Sequence, residues 1–121
     1  MMAGGAWSKW EWVNPPMIAG QEYRTTERWN GKPVYAKLVN IGTLPSSASK
    51  YYSIGIAPNA YEIIDSSVRM KTSGTYTRTR TQDNLDYCFD VGSDGNYAMI
   101  VETTADFSNF TCDLTVKYIP K

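Results

Sequence analysis

Residues that alternate between apolar and polar run through much of the chain, and this period of two is the repeat of a β-strand. Leu85 to Val91 alternates in this way, and the pattern resumes from Tyr97 to Thr103 after a turn at Ser93–Gly95. Two such runs joined by a short glycine-containing turn predict a β-hairpin. Cys112 to Tyr118 predicts a last strand with one apolar face.

Four earlier strands are predicted between segments rich in Gly, Pro, Ser and Asn: Val34 to Ile41, Tyr51 to Ala57, Tyr61 to Met70 and Thr75 to Thr81. The third of these keeps an alternative, because Ile63, Ile64 and Val68 also fit one and a half turns of helix. Asn30–Gly31 is typical of a tight hairpin turn. It predicts that the segment containing Tyr23 pairs with the strand that starts at Val34.

The number and spacing of these strands predict the fold class. About seven short strands, roughly 8 to 12 residues apart, favour an antiparallel β-sandwich over a parallel α/β sheet. We therefore expect an all-β domain with less than about a tenth of its residues in helix. Three tryptophans in the six residues from Trp7 to Trp12, followed by two prolines, predict an extended Trp-rich N-terminal segment. Such large aromatic surface is expected to pack on the domain or on a partner subunit.

The loops divide between two ends if every strand from Val34 onward reverses direction. One end then carries the C-terminus with Thr43–Lys50, Thr72–Gly74 and Gly92–Gly95. The other end carries the entry of the Trp-rich segment with Pro58–Ala60, Gln82–Asn84 and Ala105–Asn109. The first set is rich in residues that form hydrogen bonds, and we expect it to face outward.

Composition narrows the class of protein. The chain has 121 residues, which is one domain by length, with 12 basic and 12 acidic residues. This balance is not that of a nucleic-acid-binding protein, which shows a basic excess or a basic stripe. The apolar runs are too short for membrane insertion, and no secretory signal is expected.

Residues with catalytic or metal-binding chemistry are few, and we expect a non-enzymatic protein without a cofactor or a metal. The chain has no histidine, which removes the usual Ser-His and Cys-His pairs. Asp90 to Asn96 has part of the spacing of an EF-hand loop, but Gly92 and Val101 stand where ligands are required. No spacing singles out a pair of carboxylates for glycoside hydrolysis. Cys88 and Cys112 either form a disulfide, if their strands are neighbours, or remain reduced and packed, which is the expectation for a reducing compartment.

Three stretches resemble the receptor-binding head domains at the C-termini of bacteriophage tail fibres, the group that includes pyocin-knob-like domains. They are Trp10 to Met17 (WEWVNPPM), Glu22 to Val39 (EYRTTERWNGKPVYAKLV), and Thr103 to Asp106 leading to Leu114–Tyr118. The resemblance implies a mostly β fibre tip used in host attachment. It also implies a homotrimer joined to an upstream fibre shaft, assembled in the bacterial cytoplasm and located in the virion. Residues 7–121 would form the head domain, and residues 1–6 a linker or an expression scar.

The function expected from these observations is binding of a bacterial surface glycan or other host receptor. A polysaccharide or a teichoic-acid-like polymer is the favoured ligand. The candidate receptor-binding residues are Lys50, Tyr51, Tyr76, Asp94 and Asn96. The candidate subunit-interface residues are Trp10, Trp12, Arg78 and Arg80.

Two alternatives remain open for the whole domain. Instead of a receptor-binding tip, the domain would be a structural trimerising tip or spacer of the fibre, or a carbohydrate-binding module of a secreted bacterial protein. A third ambiguity concerns one strand face, where Tyr76 lies with Arg78 and Arg80. This face either binds an acidic sugar or phosphate group or packs on a neighbouring subunit.

Overall fold

The computed structural model describes residues 10–72, 77–78 and 84–121, which form eight β-strands and no helix. The strands are, in chain order, β1 (Glu22–Trp29), β2 (Lys32–Thr43), β3 (Ser49–Ser53), β4 (Tyr61–Lys71), β5 (Thr77–Arg78), β6 (Leu85–Val91), β7 (Tyr97–Thr103) and β8 (Thr111–Pro120). The all-β prediction is confirmed. The helical alternative for Tyr61 to Met70 is wrong, because this segment pairs along its length with β8.

The strands form two antiparallel sheets that enclose one core. A large sheet has the order β1-β2-β8-β4-β5, and a small sheet has the order β3-β7-β6. Side chains from the inner faces of both sheets, such as Val116 of β8 and Val101 of β7, belong to the same buried cluster. The predicted β-sandwich is therefore confirmed. The predicted hairpin at Asn30–Gly31 is also present, and both residues adopt the positive φ angles that such a turn requires.

Strand β8 is the centre of the large sheet. Its inward side chains, Cys112, Leu114, Val116 and Tyr118, are 0–2% exposed. It pairs with β2 on one side and with β4 on the other, so its main chain is hydrogen-bonded along both edges. The strict alternation of apolar and polar residues in β8 fits this position, because one of its faces is fully covered by the small sheet.

A group of tyrosines fills the inner face of the large sheet. The rings of Tyr35, Tyr61 and Tyr118 contact one another, with centroids 5.2 to 5.8 Å apart. The Tyr118 hydroxyl donates a hydrogen bond to the Glu22 carboxylate. Burial, followed by this contact with Glu22, raises the pKa of Tyr118. Tyr118 thus ties β8 to β1 across the intervening strand β2.

The chain after β3 differs from the predicted strand Tyr51 to Ala57, because β3 ends at Ser53. Ile54 and Ile56 are buried in the core, which explains why the alternation continues in the sequence. Gly55 between them has a φ of 69°, and this left-handed conformation interrupts the strand. An alternating apolar pattern therefore continues here without a strand.

The predicted division of the loops is wrong. The sequence places Thr43–Lys50 and Ala105–Asn109 at opposite ends, but the structure places them together. The Ser47 N–H donates to the Ala105 carbonyl over 3.0 Å. Both loops lie where β2 ends and β8 begins. This end of the domain lies opposite the C-terminus, and we call it the opposite end.

Gly92–Gly95 lies at the other end, with Pro58–Ala60 and the C-terminus, which we call the C-terminal end. The Lys121 N–H donates to the Ala60 carbonyl over 2.9 Å, and the Tyr97 N–H donates to the Ile56 carbonyl over 2.8 Å. The prediction fails because the chain leaves the large sheet after β5 and enters the small sheet at β6. These two strands run in the same direction, so every later loop changes ends.

The N-terminal segment lies along the free edge of β1. Trp12 forms a parallel bridge with Thr25, and its ring contacts Tyr23 edge-on, with centroids 5.5 Å apart. The Glu11 carboxylate is 2.9 Å from Arg24 Nε and 2.9 Å from an Arg28 guanidinium nitrogen. These two arginines, Arg28 first, lower the pKa of Glu11. The predicted N-terminal segment is extended around its bridge at Trp12, bends at residues 13–14 and has a left-handed φ of 54° at Met17, whereas Trp7 lies outside the described residues.

The two cysteines are free, and they differ in environment. Cys112 is buried on the inner face of β8, and burial raises the pKa of its thiol to about 12. Cys88 is exposed, so the prediction that both cysteines are packed is wrong for this one. In β6, Tyr87 and Phe89 take the inward positions, and the alternation therefore turns Cys88 outward.

Truncation of Leu114 should test the central place of β8. Leu114 is fully buried, so Leu114→Ala should lower the free energy of unfolding by about 2 to 5 kcal/mol. The matched control is Thr115→Ala on the outer face of the same strand, which should cost about 1 kcal/mol or less. Equal losses for the two variants in chemical denaturation would contradict the assignment of these faces.

Candidate functional site

A hollow on the outer face of the small sheet lies near the C-terminal end. It is lined by Tyr51, Ser53, Gly92, Ser93, Asp94 and Ala98, and its volume is about 270 Å³. We call it the Tyr51–Asp94 hollow. It forms where the end of β3 meets the turn between β6 and β7.

Strand register explains how these residues meet. Tyr52 points into the core, so its neighbours Tyr51 and Ser53 point outward. Ser53 pairs with Ala98 of β7, whose small side chain leaves space above the sheet. The turn between β6 and β7 then brings Asp94 over this space. A hydrogen bond from the Gly92 N–H to the Asn96 carbonyl closes this turn. Gly95 has a φ of 82° in this turn, a conformation that favours glycine.

The Asp94 carboxylate is held in place from two sides. The Ser53 hydroxyl donates to one carboxylate oxygen, and the Asn96 N–H donates to the other over 3.0 Å. The bond from Ser53, followed by that from Asn96, lowers the pKa of Asp94. The group is therefore a fixed, ionised hydrogen-bond acceptor beside the Tyr51 ring, which is 57% exposed.

The structure brings together some of the predicted receptor-binding residues. Tyr51 and Asp94 line the same hollow, and Asn96 holds Asp94 through its main chain. Lys50 is different, since its amino group lies over the Tyr52 ring, 5.2 Å from the ring centre. Tyr76 lies outside the described residues.

The predicted interface residues lie elsewhere. Trp10 and Trp12 are 69% and 44% exposed, and with Glu11 and Val13 they line a hollow of about 290 Å³ beside β1. We call Trp10, Trp12 and Val13 the Trp patch. Arg78 belongs to the short strand β5, where it pairs with Met70. Arg80 lies outside the described residues.

A second hollow, of about 460 Å³, lies between β2 and the end of β3. Its lining includes Gly20, Lys37, Val39, Ser53, Ile54 and Gly55, and we call it the Lys37 hollow. Ser53 lines both this hollow and the Tyr51–Asp94 hollow. Sequence reasoning missed Lys37 and Ser53. The sequence does contain an indication of Lys37, because a charged residue stands between Tyr35 and Val39 at a position of β2 where the alternation predicts an inward, apolar side chain.

A third hollow, of about 310 Å³, lies on the outer face of the large sheet. Its lining includes Leu38, Ser67, Arg69, Asp113 and Thr115. Arg69 and Asp113 form an exposed ion pair there, with nitrogen and oxygen 4.0 Å apart. The two charged groups of this hollow thus already pair with each other across the strands.

Comparison of the chain with protein families, with curated proteins and with solved structures gives no match. Within residues 10–72, 77–78 and 84–121, no three metal-ligating side chains are grouped as a metal ion would require. The described part of the chain contains no helix that is long and apolar enough to cross a membrane. Function is therefore inferred from the residues and their geometry.

The contacts of Asp94 predict how it titrates. Its pKa in the folded protein should lie below the ordinary value of 3.8. Because the folded pKa is depressed, the stability linked to Asp94 is present above about pH 4 and is lost as the pH falls through the folded pKa. A carboxyl-carbon NMR titration should show this shift, and Ser53→Ala should raise the midpoint. An unchanged midpoint in that variant would refute the role of the Ser53 hydroxyl.

Proposed function

We propose that this chain is the receptor-binding tip of a bacteriophage tail fibre and that it binds a bacterial surface glycan without catalysis. The observation that supports this most is the Tyr51–Asp94 hollow, where an exposed aromatic ring stands beside a fixed carboxylate. A sugar presents an apolar C–H face and a rim of hydroxyl groups. A tyrosine ring can pack on the first, and a carboxylate can accept hydrogen bonds from the second.

The lining of the hollow offers polar contacts to a sugar polymer. Ser53, Ser93 and Asp94 supply hydroxyl and carboxylate groups beside the Tyr51 ring. A contact of this size gives modest affinity for one sugar unit, since each hydrogen bond to a charged group contributes about 1.5 to 3 kcal/mol. Several copies of the site on one fibre would raise the overall affinity through avidity.

The Trp patch supports the proposed homotrimer. Trp10, Trp12 and Val13 expose aromatic and aliphatic surface at the edge of the large sheet. Aromatic residues are enriched at subunit interfaces, and exposed apolar surface of this kind commonly marks an interaction site. A second copy of the domain, arranged around a threefold axis, would cover this surface.

The direction of the N-terminal segment supports the orientation of the fibre. Trp12 pairs with Thr25 in parallel, so the chain at Trp12 runs in the same direction as β1. Strand β1 runs towards the Asn30–Gly31 turn, which lies at the C-terminal end of the domain. The upstream shaft is accordingly proposed to attach at the opposite end, which leaves the Tyr51–Asp94 hollow facing the host in the assembled virion.

A structural tip or spacer is the second candidate function, and the Trp patch favours it as well. In that case the domain trimerises the fibre through Trp10 and Trp12, and the receptor site lies elsewhere. The two functions differ in whether changes in the Tyr51–Asp94 hollow affect attachment to cells.

Substitutions in the Tyr51–Asp94 hollow should weaken attachment. Tyr51→Ala and Asp94→Asn should each lower adsorption of a fluorescent fusion to host cells about tenfold, because each removes a contact to the glycan. Tyr51 is exposed, so Tyr51→Ala should leave the melting temperature within about 2 °C. Asp94→Asn keeps an amide oxygen that accepts one of the hydrogen bonds from Ser53 and Asn96, so it should lower the melting temperature only slightly. The control is Asp90→Asn, an exposed carboxylate in β6 outside the hollow. Adsorption equal to that of the parent in both variants would favour the structural tip.

Substitutions in the Trp patch should weaken assembly and leave the fold intact. Trp10 is 69% exposed in the single chain, so Trp10→Ser should act mainly on the trimer. Trp12→Ser also removes the contact with the Tyr23 ring and should lower the stability of the chain slightly as well. Light scattering of the intact fibre tip should show a loss of trimer mass at micromolar concentration. Val91→Ser, at an exposed apolar position on the small sheet, is the matched control. Retention of trimer mass in both variants would exclude this interface.

A further inference from the structure

Lys37 occupies a position where the pattern of the strand calls for an apolar residue. It pairs with the fully buried Val116 of β8, and its neighbours on the same face, Tyr35 and Val39, contact the core. Its amino group reaches the seam between the two sheets and donates to the Ile54 carbonyl over 3.1 Å. Lys37 is therefore a half-buried cation on the inner side of the sandwich.

The charge of Lys37 has no carboxylate partner among the residues that the structure describes. The ion pairs of this part of the chain use Arg24, Arg28, Arg69 and Lys117. An ammonium group has three donors, and the Ile54 carbonyl takes one of them. A partly buried cation without a counter-charge is unfavourable, whereas an uncharged side chain of similar length would avoid this cost.

The space around the Lys37 amino group is open enough for a ligand. Gly55 has no side chain to fill this space, whereas a Cβ at this position would lie 3.2 Å from the Lys37 amino nitrogen. Gly20 has a φ of 85°, and a Cβ there would meet nothing within 4 Å. The two glycines thus line a hollow of about 460 Å³ in front of the cation.

We propose that the Lys37 hollow is an anion subsite that holds a phosphodiester or carboxylate group of the bound glycan. This rests on the proposed function, because the glycan occupies the neighbouring Tyr51–Asp94 hollow. Ser53 lines both hollows, so one polymer can extend from the first into the second. Asp94 repels an anion on its side of Ser53, while Lys37 attracts one. The ligand is thereby oriented, with a neutral sugar on Tyr51 and the anionic group at Lys37.

The first experiment uses inorganic phosphate as the probe and does not depend on glycan binding. In ¹H–¹⁵N NMR spectra of the full chain, phosphate should shift the amide signals of Gly20, Ser53 and Gly55. The shifts should disappear in Lys37→Met, which keeps the length of the side chain and removes its charge. They should also weaken as ionic strength rises from about 0.01 M to about 1 M, because the Debye length falls about tenfold. No shifts in the parent, or equal shifts in Lys37→Met, would overturn the subsite.

The second experiment compares three oligosaccharides of equal length by calorimetry: a glycerol-phosphate-linked oligomer, an oligouronate and a neutral oligomer. Lys37→Met should weaken binding of the preferred anionic oligomer about tenfold and leave the neutral one unchanged. The phosphodiester and carboxylate arms identify which anion is bound. Lys37→Gln is the second variant if Lys37→Met does not fold, and Lys37→Arg should retain binding of the anionic oligomer.

The outcomes separate this inference from the proposed function. Loss of binding in Tyr51→Ala, with Lys37→Met equal to the parent, would overturn the anion subsite and support the glycan site. Phosphate binding at Lys37 without binding of any oligosaccharide would support an anion site and count against the glycan-binding function. Loss of affinity for the neutral oligomer in Lys37→Met would also overturn the subsite, since a charge-specific role would then be absent.

Discussion

The pairing of β8 with both β2 and β4 is the constraint on which the rest of the structure depends. The inward side chains of β8 are 0–2% exposed, and its two edges carry the long ladders of the large sheet. Because β2 and β4 are both antiparallel to β8, they run in the same direction, and β3 must return the chain between them in the other sheet. The end of β3 is thereby fixed near the C-terminal end of the domain, and the position of Ser53 follows from this.

Ser53 connects the core of the sandwich to its proposed chemistry. It is the last residue of β3, its hydroxyl fixes Asp94, and its side chain borders the Lys37 hollow. One side of Ser53 thus presents a carboxylate and the other an ammonium group. Opposite charges on the two sides of Ser53 suit a ligand with neutral hydroxyl groups at one position and an anionic group at the next, such as a glycan with anionic substituents.

Local patterns predicted the strands well, and the long-range arrangement less well. The alternation in β6, β7 and β8 and the turn at Asn30–Gly31 are local signals, and each of these predictions is confirmed. The end of the domain at which a loop lies depends on which sheet each strand joins. No local pattern in the sequence indicates the change of sheet between β5 and β6. The same limit applies to the site. Tyr51 and Asp94 were predicted one by one, whereas their meeting depends on the register between β3 and β7.

The central claim is that the C-terminal end of the domain receives the glycan. Hydrogen–deuterium exchange of the intact chain, with and without purified host surface polysaccharide, tests this claim most directly. The account predicts slower exchange in residues 51–55 and 92–96 on addition of the polysaccharide, and unchanged exchange at the opposite end. Protection of residues 44–48 and 105–109 instead, with no change at residues 51–55, would contradict it.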